Sequence, residues 1–153
     1  MGGSEFPECA RPNNSDQNTQ TPRCLFRQRV RETRPLAPQH VENLEQAFES
    51  LGEPAKAEKC PGIKGIKKEH DEFVSNESPS PEVLNAFLTV AGARTEHYEI
   101  AAYEGLITMA EAMGEDEVAR LLNENLAQEQ NALRKIQTIG KRLAQQGAAA
   151  PTA

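Results

Sequence analysis

The stretch TEHYEIAAYEGL, residues 95–106, concentrates groups able to do chemistry: Glu96, Glu99 and Glu104, one histidine and two tyrosines. Its surroundings carry the spacing of an amphipathic helix, with Leu88, Ala91, Ala102 and Leu106 on one stripe. Glu99 falls on that stripe, and Glu96 precedes it by three positions, so a helix presents both carboxyls on one side. A second acid repeats the pattern. Glu129 follows Leu126 by three and precedes Leu133 by four, again on an apolar stripe. An ionised carboxylate buried alone costs several kcal/mol or takes up a proton. A multivalent cation between such carboxylates removes that cost, as in the carboxylate di-metal bundles. His40, four before Leu44, is placed to add an imidazole. The competing reading is a pair of carboxylates at the stripe edge, reaching water or pairing with Arg94 or Lys135.

The other polar and soft residues have simpler expectations. His97 points about 100° away from its neighbours and reads as a boundary residue. His70, among Glu69, Asp71 and Glu72, reads as solvated. Tyr98 and Tyr103 are expected in the core with their hydroxyls bonded. Met109 and Met113 are expected as core filler.

The elements that must position these groups are helices. One is expected from Pro38 to Leu51, with an apolar stripe of Val41, Leu44, Phe48 and Leu51 and a stop at Gly52. A short helix follows Pro61, with Ile63, Ile66 and Phe73 on one side, and a loop spans Ser75 to Ser80. Ser80, Pro81 and Glu82 form a helix start, and that helix runs to Met113 before Gly114. The last helix runs from Asp116 to about Gln145 through Val118, Leu122, Leu126, Leu133, Ile136 and Leu143. Two long helices joined at Gly114 make an antiparallel hairpin, half of a bundle. No stretch reads as a strand, so the class is all-α.

Composition narrows the function. The 153-residue chain has room for one domain. Its net charge of -6 and its lack of Trp argue against a nucleic-acid surface. No apolar run has membrane-spanning length, and no signal-peptide pattern opens the chain, so a soluble cytoplasmic protein without a membrane partner is expected. Cys9, Cys24 and Cys60 are an odd, scattered set that suits neither a disulfide framework nor a zinc site. Residues 1–37 hold six Arg, no Lys and little apolar material, and read as disordered or non-native. The opening MGGSEF matches what two adjacent restriction sites encode. The helical domain is then 38–146 and the tail 147–153.

LEQAFESLGEPAKAEKC (44–60), TEHYEIAAYEGL (95–106) and EDEVARLLNENLAQEQ (115–130) together resemble the ferritin-like stress-response family of bacterial YciE and YciF proteins. The resemblance runs from about His40 to Leu143. It implies a ferritin-like bundle, commonly a homodimer, holding a carboxylate-bridged pair of iron or manganese ions. Matched by motif, Glu96, Glu99 and Glu129 take the places of metal ligands, and His40 falls where members carry His or Gln. The chain also departs from the family. Nothing in residues 1–39 matches the family's first helix, so an incomplete bundle is expected. Leu36-Ala37-Pro38 stands where a Glu-Thr pair precedes the His, and no His follows Glu129 by three. Two functions are compatible with this pattern: di-metal chemistry in oxidative stress or metal handling, or a non-catalytic helical dimerisation and interaction module with a degenerate site.

Overall fold

The computed structural model describes residues 36–149, with side-chain environments for 38–147. The expectations for the N-terminal segment up to residue 35 and for the tail beyond residue 149 lie outside the described residues. Four helices make up the rest: α1 (Leu36–Ser50), α2 (Pro61–Glu77), α3 (Pro81–Met113) and α4 (Asp116–Ala149). No strand occurs among the described residues.

The predicted punctuation operates as expected. Ser80 caps α3 by accepting a hydrogen bond from the Val83 amide at 3.4 Å, and Pro81 occupies the first turn, where a missing N–H costs nothing. Gly114 ends α3 at φ 77°, with its amide donating to the Glu111 carbonyl and that of Glu115 to the Ala110 carbonyl. That left-handed turn reverses the chain, and Gly52 ends α1 in the same conformation at φ 71°. Three ends differ by two residues or more from the sequence reading. α1 begins at Leu36, two residues before Pro38, α2 continues through Ser75 to Glu77, shortening the expected loop, and α4 continues to Ala149, because Ala148 and Ala149 sustain the helix beyond Gly147.

α3 and α4 form the long antiparallel hairpin. α1 packs on α4 in the opposite direction, since His40 reaches Glu129 whereas Asn43 reaches Glu124 and Asn125. α1 and α3 are therefore parallel. The chain returns between them along the outside of α3 through α2, which is antiparallel to α3: Gly62 meets Tyr98, Glu69 meets Arg94 and Phe73 stacks on Phe87 at 4.1 Å.

The core occupies the end of the hairpin near the turn. Ala47 of α1, Ile107 and Ala110 of α3, and Val118, Ala119, Leu121 and Leu122 of α4 pack together, joined by Leu44, Tyr103 and Leu126. The inward stripe of α3 is Ile100, Tyr103, Ile107 and Ala110, not the stripe through Ala102 and Leu106, both of which are exposed. α3 carries two apolar stripes. The second, through Leu88 and Ala91, is covered by α2 in its first half only. Its continuation through Leu106, Met109 and Met113 is open, with the two methionines 62% and 67% exposed, so they do not fill the core.

α1 also turns differently from its apolar stripe. Asn43 and Ala47 are the buried positions, whereas Val41, Phe48 and Leu51 are exposed. Small Ala47 lets the backbones approach closely, and Asn43 faces a hydrogen-bond partner on α4. Tyr98 is likewise exposed: it lies across Gly62, where a Cβ would meet its ring at 2.7 Å, and its hydroxyl is 3.3 Å from the Cys60 sulfur.

Candidate metal centre

Beyond the apolar end, the hairpin becomes polar. Glu96 and Glu99 sit one turn apart on α3, and Glu129 faces them from α4. One carboxylate oxygen from each lies within 4.8 Å of the other two. Glu129 is buried at 6% exposure and the two α3 glutamates are half-buried. The structure thus brings together the three acids that the sequence placed on or beside apolar stripes.

His40 joins from α1. Its Nδ1 lies 3.0 Å from Glu129 Oε1, which makes it a partner of one carboxylate rather than a fourth member of the group. Its Nε2 is buried and has no hydrogen-bond partner among the described residues. The alternative pairing with basic residues is not realised. Arg94 instead binds Glu69 of α2 at 2.7 Å, and no Lys or Arg among the described residues pairs with any of the three glutamates.

The electrostatic consequence follows directly. Burial, reinforced by the hydrogen bond and the charge of Glu129 and by the charge of Glu99, pushes the Glu96 carboxyl up to about 8. Burial, then the charge and hydrogen bond of Glu129, pushes Glu99 up to about 7. Tyr103 is also raised, chiefly by burial and against the bond it accepts from Asn125, with the charges of Glu129 and Glu99 adding to it. Helix packing has gathered like charges where water is scarce, with no Lys or Arg partner among the described residues to balance them.

The residues present fit a hard divalent or trivalent ion. Three carboxylates supply oxygen donors from two helices, an imidazole steadies the most buried of them, and the charge imbalance is of the sign that a cation corrects.

Residues 18–149 match the family described as "Domain of unknown function (DUF892)". The chain belongs to this family. The DUF892 match starts upstream of His40, where the recognisable motifs begin, and so takes in part of the segment before α1. The chain is similar to Protein YciF of Escherichia coli (strain K12), at 37% identity over 90 residues. That alignment covers 58% of this chain and 54% of YciF, so the chain spans about half the length of this curated relative. Among solved structures it is similar to YcfI from Rhodopseudomonas palustris, described as a candidate structural protein, with a TM-score of 0.66 and 35% identity. That match covers 78% of this chain and 74% of YcfI. No described helix is long and apolar enough to cross a membrane.

Sequence reasoning missed the polar bracket beside the DUF892 carboxylates. Buried Asn43 and Asn125 and half-buried Tyr103 form a hydrogen-bonded set next to His40. A signal for it was present: Asn125 lies four after Leu121 and four before Glu129, on the inward stripe of α4. An amide at such a position calls for a partner.

Proposed function

We propose that this DUF892 protein holds a carboxylate-bridged pair of iron or manganese ions between α3 and α4 and acts in oxidative-stress or metal handling in the bacterial cytoplasm. The observation that carries this reading is the meeting of Glu96, Glu99 and Glu129 within 4.8 Å without a Lys or Arg partner among the described residues. Glu96 and Glu99 from α3 and Glu129 from α4 would hold the ions as bridging or terminal ligands. His40 steadies Glu129 through Nδ1 and keeps Nε2 available as a further donor. A bound iron or manganese pair supplies electron transfer to dioxygen or peroxide. The protein's own part is to orient the carboxylates and to give up the protons that Glu96 and Glu99 retain near neutral pH, since ligands must be ionised to bind.

Elemental analysis after anaerobic reconstitution tests the proposal. About two iron or manganese ions per chain are expected, as in di-metal bundles. The double variant Glu99→Ala/Glu129→Ala should retain neither. A wild-type protein holding no stoichiometric iron or manganese would sink the reading.

A second reading has its own support. Val41, Phe48, Leu51, Leu106, Met109 and Met113 leave apolar surface open on α1 and α3, which favours an interaction module, most simply a homodimer. The description of YcfI as a candidate structural protein is compatible with it. Sedimentation of dilute protein should then show a dimer, and a well-folded monomer would count against it.

A further inference from the structure

Asn125 is 0% exposed, between inward neighbours that are either apolar or part of the carboxylate site. A buried amide is tolerated only when its polar atoms are bonded, and here all are. Its Nδ2 donates to the His40 carbonyl and to the Tyr103 hydroxyl, both at 3.2 Å, and its Oδ1 accepts from Asn43 Nδ2 at 2.8 Å. The His40 carbonyl can only accept, which fixes the amide with its NH2 toward His40 and Tyr103. Asn43 is fixed in turn: its Oδ1 accepts from Gln39 Nε2 at 3.0 Å, and its Nδ2 also donates to Glu124 Oε2 at 3.3 Å. The chain of donation therefore has one direction, from Gln39 through Asn43 and Asn125 to Tyr103. Tyr103 stands at its end as an acceptor, so its own proton remains to be given elsewhere. The His40 and Tyr103 rings meet edge-on with centroids 6.3 Å apart.

We propose that Asn125 is a positioning residue of the carboxylate site, anchoring α1 through the His40 carbonyl and α3 through the Tyr103 hydroxyl so that the His40 imidazole is held against Glu129. Its functional consequence rests on the metal reading above; the positioning itself does not. A merely structural buried amide would fill space and satisfy its own bonds. Asn125 instead spends both N–H groups on two residues from different helices that share the same carboxylate neighbourhood.

The test has a metal-free arm and a metal arm. In the first, long-range 1H–15N correlation spectra of the full chain read the His40 ring. Wild type should show one tautomer, protonated at Nδ1 and hydrogen-bonded. Asn125→Asp, of the same size but lacking the NH2, should give an averaged or altered ring pattern while circular dichroism keeps its helical signal. In the second, Co2+ is titrated and its visible absorption recorded; Asn125→Asp should weaken Co2+ binding by about tenfold or more, the usual effect of losing an outer partner, and shift the band. A folded Asn125→Asp protein with an unchanged His40 spectrum overturns the proposal. If wild type takes up no Co2+ but its His40 spectrum depends on Asn125, the positioning role stands and the metal reading falls. Should Asn125→Asp not fold, Asn43→Ser loosens the amide from its acceptor side. It is read by the same His40 spectrum, and an unchanged spectrum again overturns the proposal.

Discussion

The two halves of the α3–α4 hairpin use the same helices and the same inward stripes for different ends. Next to the Gly114 turn, Ile107, Ala110, Val118, Leu121 and Leu122 close around Ala47 with no charged group among them. Within about three turns further along, the same stripes present Glu96, Asn125 and Glu129, with Glu99 beside them, and beyond these come buried Thr89 and Asn85. The first region supplies apolar burial, the dominant favourable contribution to folding. The second opposes folding through crowded carboxyls, a pattern associated with functional sites. A rigid apolar end allows the polar end to hold an arrangement that would otherwise relax.

Substitutions in the two regions should therefore behave oppositely. The largest effect belongs to the apolar end: Leu121→Ala, at one of the most buried side chains, should cost about 2–5 kcal/mol in denaturant unfolding. Metal stoichiometry of the remaining folded protein should be unchanged, and a selective loss of metal would blur the division. Glu96→Gln should do the reverse. Without metal it is expected to stabilise the fold by roughly 1–2 kcal/mol while reducing metal uptake, as relief of a strained functional site does.

The gain from Glu96→Gln should depend on pH with a defined sign. Glu96 and Glu99 keep their protons in the folded chain up to about 8 and about 7, above the usual carboxylate range. The folded state therefore binds more protons than the unfolded chain in that window, and stability of the metal-free protein falls as pH rises through it. Thermal unfolding of wild type should thus show a lower midpoint near pH 8 than near pH 5, with Glu96→Gln flattening the difference. A flat wild-type profile would show that the carboxyls are not crowded in solution.

Smaller effects lie outside both regions. Gly114→Ala forces a side chain into the left-handed turn and should cost about 1 kcal/mol. Arg94→Ala removes an exposed pair with Glu69 and should cost only a few tenths of a kcal/mol in the same unfolding measurement.

The helices and their ends were legible because they depend on local chemistry. Ser80-Pro81, Gly52 and Gly114 act through their own backbone and read directly from the chain. The inward stripe of α4 was equally clear, since one apolar face on an otherwise charged helix has one way to turn. α3 was harder because it has two apolar stripes, and hydropathy alone does not say which faces α4. Choosing the stripe through Leu106 moved Glu99 to its middle and Glu96 to its side. The structure puts Glu96 in line with Ile100, Tyr103 and Ile107, and Glu99 beside it. The set of acids survived because acids one turn apart share a side for either choice. α1 was misread for a related reason: its closest approach to α4 uses Asn43 and Ala47, and neither draws attention as a hydrophobic residue. The amide bracket depends on bonds between residues some 80 positions apart, which no local pattern contains.

The parallel course of α1 and α3 sets a length requirement on the segment joining them. α2, at 17 residues, spans about 26 Å, slightly more than the roughly 22 Å of the 15-residue α1. None of its residues is fully buried. It behaves as a spacer, and its sequence is free to change on the exposed side away from Tyr98, Arg94 and the Phe73–Phe87 stack. The solvent-facing side around Lys64, Lys67 and Lys68 is thus a place to attach a fluorophore or affinity handle without disturbing either half of the hairpin.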